Sequence, residues 1–260
     1  MQPLVMARSI QEEYQRYIRT AFPILEPELE RRFEEMAERE ELLWRGPYIS
    51  LARPYREGKT IPELVQEGIL HATIAEIFSD FRSLYAHQED AIRRLVKGQH
   101  VIMATGTGSG KTEAFIIPIL DYCLRNIHRP GTKALLVYPM NALANDQLER
   151  LRKRLAGKGV TFGRYTGNTP ETDAERPADI PKEEKFSRDA IRRDPPDILI
   201  TNYAMLEYLL IRRIDQVIFR HGELRFLVLD EVHTYGGARG AEVACLIRRL
   251  REHVGRTDGG

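Results

Sequence analysis

At 260 residues the chain can bury a large core, as one large domain or two small ones. Its 39 Lys and Arg against 38 Asp and Glu leave a net charge of +1, so no global basicity marks a nucleic-acid binder. Two cysteines, Cys123 and Cys245, fall in apolar helical stretches without zinc-ligand spacing, which predicts buried, reduced thiols. No apolar run reaches the length of a membrane span and no signal segment opens the chain, so the expectation is a soluble, cytoplasmic protein.

Taken in order, Ile10, Tyr14, Tyr17 and Ile18 recur at helical spacing and predict an amphipathic helix over 9–22. A second helix follows Pro27, with Leu29, Phe33 and Met36 on one face and a solvated acidic face running from Glu26 to Glu41. Residues 48–51 suit a short strand. Thr60-Ile61-Pro62-Glu63 has the form of a capping box with Pro in the first turn of a helix. Nothing in residues 1–80 names a chemistry, and they are expected to form a mainly helical accessory region.

From Leu84 onward strands and helices alternate. A helix over 87–96 ends at Gly98, and Val101-Ile102-Met103-Ala104 reads as a buried strand entering Thr105-Gly106-Thr107-Gly108-Ser109-Gly110-Lys111-Thr112. Alternating glycines let successive N–H groups point into one concavity, at a helix N-terminus that favours an anion. Lys111 adds a mobile positive charge for outer phosphates, and the Thr112 hydroxyl suits Mg²⁺. The general phosphate-loop pattern wants Gly where this chain has Thr105. A Gly-Lys-Thr tripeptide alone would suit a plain surface loop equally; the flanking apolar strand and helix favour a nucleotide.

Ala134-Leu135-Leu136-Val137-Tyr138 is an apolar run suited to a central parallel strand. A helix over 141–155 follows, then a short strand over 162–165 and a long polar surface loop over 167–184. The basic cluster Arg150, Arg152, Lys153, Arg154 and Lys158 is expected on the solvated surface. Strands are predicted over 197–200 and 226–229, and Val243, Leu246, Ile247, Leu250 and Val254 form the core stripe of a last helix. The alternation argues a doubly wound parallel sheet with its site at the strands' carboxyl ends. Asp230 and Glu231 stand at such an end. One carboxylate serves near Mg²⁺ and the other orients or deprotonates attacking water, roles that fit Asp230 and Glu231 respectively.

In this order the motifs resemble the DExH/DEAD-box helicases of superfamily 2, and the text around His233-Thr234-Tyr235 is similar to the Lhr/YprA-like prokaryotic branch. Some anti-phage defence helicases look similar there. Asp230-Glu231-Val232-His233 resembles motif II and the phosphate loop motif I. Tyr85-Ala86-His87-Gln88 resembles the glutamine motif, whose Gln, here Gln88, reads the adenine edge. Val137-Tyr138-Pro139-Met140-Asn141-Ala142-Leu143 resembles motif Ia, Tyr165-Thr166-Gly167 motif Ib, and Ile200-Thr201-Asn202-Tyr203 the strand-end Thr-Asn motif. The resemblance implies a RecA-like phosphate-loop NTPase domain over 81–260 after the helical region 1–80. It implies ATP and Mg²⁺ as cofactors, bound by Gln88, Thr105, Gly106, Thr107, Gly108, Ser109, Gly110, Lys111 and Thr112, with Asp230 sharing the metal. Lys111, Asp230, Glu231 and His233 would serve catalysis, His233 linking the nucleotide and nucleic-acid sites. Pro139, Asn141, Thr166, Gly167, Thr201 and Asn202 would contact the backbone of single-stranded or duplex nucleic acid, DNA ahead of RNA.

A motor of this family needs a second RecA-like domain whose arginines face the ATP. The chain stops at Gly260 without a coupling motif III, so the expectation is the N-terminal region and first motor domain of a larger helicase or translocase, or a truncated product. Two other readings are a module that binds ATP and nucleic acid without turnover, and a phosphate-loop ATPase that acts on no nucleic acid.

Overall fold

The computed structural model describes residues 2–44, 54–106, 108–220 and 223–255. The strand expected at 48–51 and the loop residue Thr107 lie outside them. The chain divides into two units, 1–54 and 55–260.

The first unit is a helical pair. Helix α1 spans Pro3–Ala21 and α2 spans Pro27–Arg39, each started by a proline in its first turn, where the missing N–H has no intrahelical partner to lose. Arg19 pairs with Glu34 at 2.9 Å across them. The acidic face of α2 is solvated as expected, with Arg31 bridging Glu28 and Glu35 along it.

The second unit is built on a five-stranded, wholly parallel sheet. Its strands are β1 (Ala134–Tyr138), β2 (Phe162–Tyr165), β3 (Glu184–Lys185), β4 (Ile198–Asn202) and β5 (Phe226–Leu229), in the order β3-β2-β4-β1-β5. Residues 55–80 belong to this unit. They carry α3 (Ile61–Gln66) and α4 (Ala72–Ile77), whose Ile61, Leu64, Ile74 and Ile77 enter its core. The capping box forms: the Thr60 hydroxyl accepts from the Glu63 N–H at 3.3 Å, and Glu63 Oε2 accepts from the Thr60 N–H at 2.7 Å.

Alternation along the buried strands sends side chains to two cores. Leu136, Tyr138, Ile198 and Ile200 pack with α3, α4, α6 (Lys111–Arg125) and α7 (Asn141–Leu155). Leu135, Val137 and Leu199 face the other way, onto α9 (Tyr203–Ile211) and α10 (Gly237–His253). Helices on both faces are what a parallel sheet requires. Helix α5 (Ala86–Val96) lies against α6, and α8 (Arg188–Arg193) against β2 and β3.

Two expectations change and two gain detail. Residues 101–104 join no strand: Val101 and Met103 are half-buried, Ile102 is 97% exposed, and β5 is left as the sheet's edge among the described residues. A parallel strand is covered on both faces, whereas in this run Ile102 and Ala104 are exposed. Cys245 is exposed on α10, while Cys123 is buried and its thiol pKa is pushed up by that burial. The loop 167–184 contains a 3₁₀ turn at Asp173–Glu175 and is tied down by Arg176, which donates to Pro181 O at 2.8 Å and Glu184 O at 3.0 Å. The basic cluster is on the surface but largely paired: Arg150 with Asp146, Arg152 with Glu184, Arg154 with Asp80 and Lys158 with Glu76. Among the described residues no helix is long and apolar enough to cross a membrane.

Candidate functional site

All five strands run the same way, so every strand-end motif lies at one edge of the sheet. Register places Tyr138 beside Asn202, and Val137 beside both Thr201 and Leu229. The Asp230 N–H donates to Val137 O at 3.1 Å and extends the ladder by one residue, which fixes the acidic pair at the end of β5.

The Gly-rich loop turns into α6 through Gly110, the residue preceding its first turn, at φ 72° and ψ 35°. Gly108 has φ +74°. Both conformations are left-handed, open to glycine and strained for other residues. Thr105 Oγ1 and Ser109 Oγ lie 2.7 Å apart, so the hydroxyl at the position that departs from the general pattern ties the loop's two arms together. Lys111 Nζ reaches back across the loop to Thr105 O at 2.9 Å. Lys111 and Thr112 are half-buried, and Ser109 is buried.

Two side chains of α5 brace this turn from behind. The His87 ring nitrogen Nε2 lies 2.9 Å from Ser109 O, and Gln88 Nε2 donates to Gly110 O at 2.8 Å. Gln88 Oε1 accepts from the Tyr85 N–H at 2.7 Å, so both ends of a side chain only 2% exposed are engaged within the protein. His87 was not singled out as a site residue in the sequence; its ring stacks on Tyr85, 5.6 Å between centroids.

At motif II, Glu231 is a non-glycine residue with φ 50° and ψ 43°, a conformation costing about 1–2 kcal/mol. Its N–H donates to Asp230 Oδ1 at 2.9 Å, and its carbonyl accepts from Thr234 Oγ1 at 2.8 Å. His233 Nδ1 lies 3.3 Å from Glu231 Oε2, and both side chains are open to solvent. Burial raises the pKa of Tyr138, with the Asp230 charge adding to it, and the buried Tyr138 hydroxyl has no hydrogen-bond partner. No hydrogen bond or ion pair among the described residues joins the Gly-rich loop to Asp230 or Glu231.

The three backbone-contact motifs meet through hydrogen bonds of their own. Asn202 Nδ2 donates to Asn141 Oδ1 at 2.8 Å, and Thr201 Oγ1 donates to Tyr165 O at 2.7 Å. Asn202 also caps α9, accepting from the Met205 N–H at 2.7 Å. The side chains expected to offer hydroxyls at this edge are turned inward. Thr201 and Thr166 are both 0% exposed, and the Thr166 hydroxyl has no partner. Gly167 is exposed, and Pro139, Asn141 and Asn202 are half-buried.

Beneath the Thr166-Gly167 turn lies a network that no motif announced. Tyr165 Oη donates to Asp215 Oδ1 at 2.5 Å, and Arg192 donates to the same oxygen through Nε at 2.8 Å. Arg192 Nη2 also reaches Tyr165 Oη at 2.8 Å. Arg188 Nη2 donates to the carbonyls of both Thr166 and Gly167 at 3.2 Å. Burial, with the Asp215 carboxylate next, pushes the Tyr165 pKa up. These partners lie far apart in sequence, where spacing carries no signal.

The loop's donors and the hydroxyl and carboxylate oxygens of Thr112 and Asp230 suit a Mg²⁺–nucleotide. Among the described residues no group of three or more His, Cys, Asp or Glu could hold a metal ion.

Residues 85–257 match the family model described as DEAD/DEAH box helicase. The chain is 29% identical to the Druantia protein DruE of Escherichia coli, over 94% of this chain and 19% of that protein. It is 31% identical to the uncharacterized ATP-dependent helicase YprA of Bacillus subtilis, over 75% of this chain and 24% of the relative. Among solved structures, the helicase MrfA bound to DNA and AMPPNP superposes with a TM-score of 0.62 at 26% identity, covering 80% of this chain and 26% of MrfA. The chain thus spans about a fifth to a quarter of the length of these relatives.

Proposed function

Because the chain belongs to the DEAD/DEAH box helicase family, we propose that it is the ATP-binding half of an ATP-dependent DNA or RNA helicase or translocase. On this reading residues 81–260 are its first RecA-like domain, and a second such domain completes hydrolysis. The observation that carries the reading is the braced turn at the start of α6. Gly110 in the left-handed conformation, held by Gln88, aims the first N–H groups of a 15-residue helix outward while Lys111 lies over the loop.

The residues divide the work as follows. The main chain of residues 105–110 cradles phosphate oxygens, and Lys111 exchanges its contact with Thr105 O for the outer phosphates. Thr112 and Asp230 would hold Mg²⁺, whose chemistry when bound is to neutralise charge developing on the transferred phosphoryl group. Glu231 is the carboxylate that orients the attacking water, and His233 beside it carries the state of the nucleotide site toward the strand site. Adenine recognition by Gln88 requires its amide to exchange at least one of its two internal hydrogen bonds. Pro139, Asn141, Gly167 and Asn202 offer the nucleic-acid backbone small polar side chains and main chain at one edge, with Thr166 and Thr201 shaping the turns beneath. A cytoplasmic setting accords with this function.

The test is nucleotide binding and ATP turnover by the chain, with and without single strands. Nucleotide affinity abolished by Lys111→Ala and retained by Glu231→Gln is expected; turnover, where the second domain is supplied, is lost in both. Unchanged nucleotide affinity in Lys111→Ala would refute the site.

A further inference from the structure

A second cationic position lies beside the strand edge, and no motif assigns it. Arg164 stands one residue before the Tyr165-Thr166-Gly167 turn, on β2, with its side chain toward α7. It lines a cleft of about 170 Å³ with Asn145, Arg152, Glu184 and Phe186. The cleft's other charges are Arg152 and the two carboxylates that share it, Glu184 and Glu149. Arg152 grips Glu184 through Nε at 2.5 Å and Nη2 at 2.8 Å, and turns Nη1 to Glu149. Arg164 has no such partner: among the described residues no carboxylate lies within ion-pair distance of it. Among the described residues its side chain makes one hydrogen bond, from Nη1 to Asn145 Oδ1, and its buried Nε has no acceptor. Burial lowers its pKa, and the Glu184 charge across the cleft offsets that only in part.

A half-buried guanidinium whose Nε has no acceptor and which no carboxylate pairs directly is destabilising, because its desolvation is only partly repaid. Its surroundings indicate what would offset that. Asn145 is one helical turn beyond Asn141 on the same face of α7, and Asn141 is hydrogen-bonded to Asn202. Asn202, Asn141, Asn145 and Arg164 therefore form a polar row from the end of β4, over the first turns of α7, to the end of β2. A guanidinium presents planar donors that match the oxygens of a phosphodiester.

We propose that Arg164, with the Asn145 amide beside it, is a phosphate-binding subsite that extends the nucleic-acid track across the carboxyl edge of the sheet. This rests on the nucleic-acid reading of that edge given above. The subsite takes one backbone phosphate of a single strand and reads no base.

The experiment is fluorescence anisotropy of a labelled oligothymidylate titrated with the full chain, between about 50 and 200 mM salt, alongside thermal unfolding of the same samples. Wild-type affinity should fall steeply with salt. Arg164→Gln should bind several-fold more weakly, with a log–log salt slope shallower by about 0.7, the value for one contact on a single strand. Arg164→Met should bind as weakly yet melt at a higher temperature than wild type, since a half-buried charge that no carboxylate pairs directly is gone and Asn145 is free to meet water. A variant that loses both affinity and thermal stability makes Arg164 a structural residue and overturns the proposal. So does wild-type slope and affinity in Arg164→Gln. Inorganic phosphate that raises the melting temperature of wild type but not of Arg164→Gln, with strand binding equal in the two, reassigns the subsite to a free oxyanion. If wild type itself shows no salt-sensitive strand binding, the underlying nucleic-acid reading fails first, and the two failures are distinguishable.

Discussion

Replacing Gly110 by Ala tests the brace on which the nucleotide site depends. Gly110 holds φ 72°, and a Cβ there would stand 2.1 Å from Gln88 Nε2. The left-handed backbone costs an alanine about 1–2 kcal/mol. Gln88 cannot swing away freely, because it is buried and anchored at both ends. Its retreat breaks the bond to Gly110 O and leaves buried polar groups unmatched, at about 1–3 kcal/mol. The sum is about 2–5 kcal/mol. Gly108 is the internal control: it has φ +74° and nothing within 4 Å of an added Cβ, so Gly108→Ala should lose only the backbone part. Urea unfolding followed by far-ultraviolet circular dichroism measures both. Fluorescence of the single tryptophan does not, because Trp44 belongs to the first unit. Adding Gln88→Ala to Gly110→Ala removes the clash, so the double variant should be less destabilised than the sum of the singles. Equal losses at Gly108 and Gly110, within about 0.5 kcal/mol, would refute the brace.

Two buried threonines at the strand edge predict opposite outcomes for one substitution. Thr201→Val deletes the buried bond to Tyr165 O, so stability should fall by about 0.5–1.5 kcal/mol in urea unfolding. Thr166→Val removes a hydroxyl that has no partner, and should be neutral or stabilising in the same measurement. Stability should also fall in acid. Hydrogen bonds from Arg154 to Asp80, from the Thr60 main chain to Glu63, from Lys59 to Glu67 and from Arg192 to Glu171 hold these carboxyls below their ordinary values of 3.8 for Asp and 4.5 for Glu. A folded-state pKa below the unfolded one stabilises above the unfolded value and is lost as pH falls through the folded one. The urea midpoint should therefore show no loss from these groups near neutrality and a decline below about pH 4.5, shallower in Arg154→Met, which releases Asp80.

Much of this architecture was legible because a parallel sheet writes itself as apolar runs. Ala134 to Tyr138 is buried at every position, and the sequence shows an unbroken apolar stretch there. The last helix announced itself by the spacing of Val243, Leu246 and Leu250, all buried on α10. The run at 101–104 looks the same in sequence yet joins no strand, because four apolar residues do not say whether a neighbour covers the second face. Helix α9 went unread for a related reason. Its Met205, Leu206, Leu209 and Leu210 are buried together in a helix apolar nearly all round, so amphipathic periodicity is absent. Pairings such as Tyr165 with Asp215 or Arg164 with Asn145 join residues 50 and 19 positions apart, a distance at which residue type predicts nothing.

The burial of Thr166 and Thr201 also constrains how a strand can be held. With Thr201 Oγ1 donating to Tyr165 O and the Thr166 hydroxyl enclosed, neither side chain meets solvent. Arg188 fixes the carbonyls of Thr166 and Gly167 from below, so the turn's remaining freedom lies in its outward main chain. On the two proposals together, contact at β2 then comes from the exposed main chain at Gly167 and from Arg164, and contact at β4 and α7 from the Asn202 and Asn141 amides. Main-chain donors and a guanidinium recognise phosphate whatever base follows it. A track built this way binds all sequences alike, which is what a motor that must pass along a strand requires. Specificity for one sequence would need base-directed side chains, and the buried Thr166 and Thr201 hydroxyls cannot supply them.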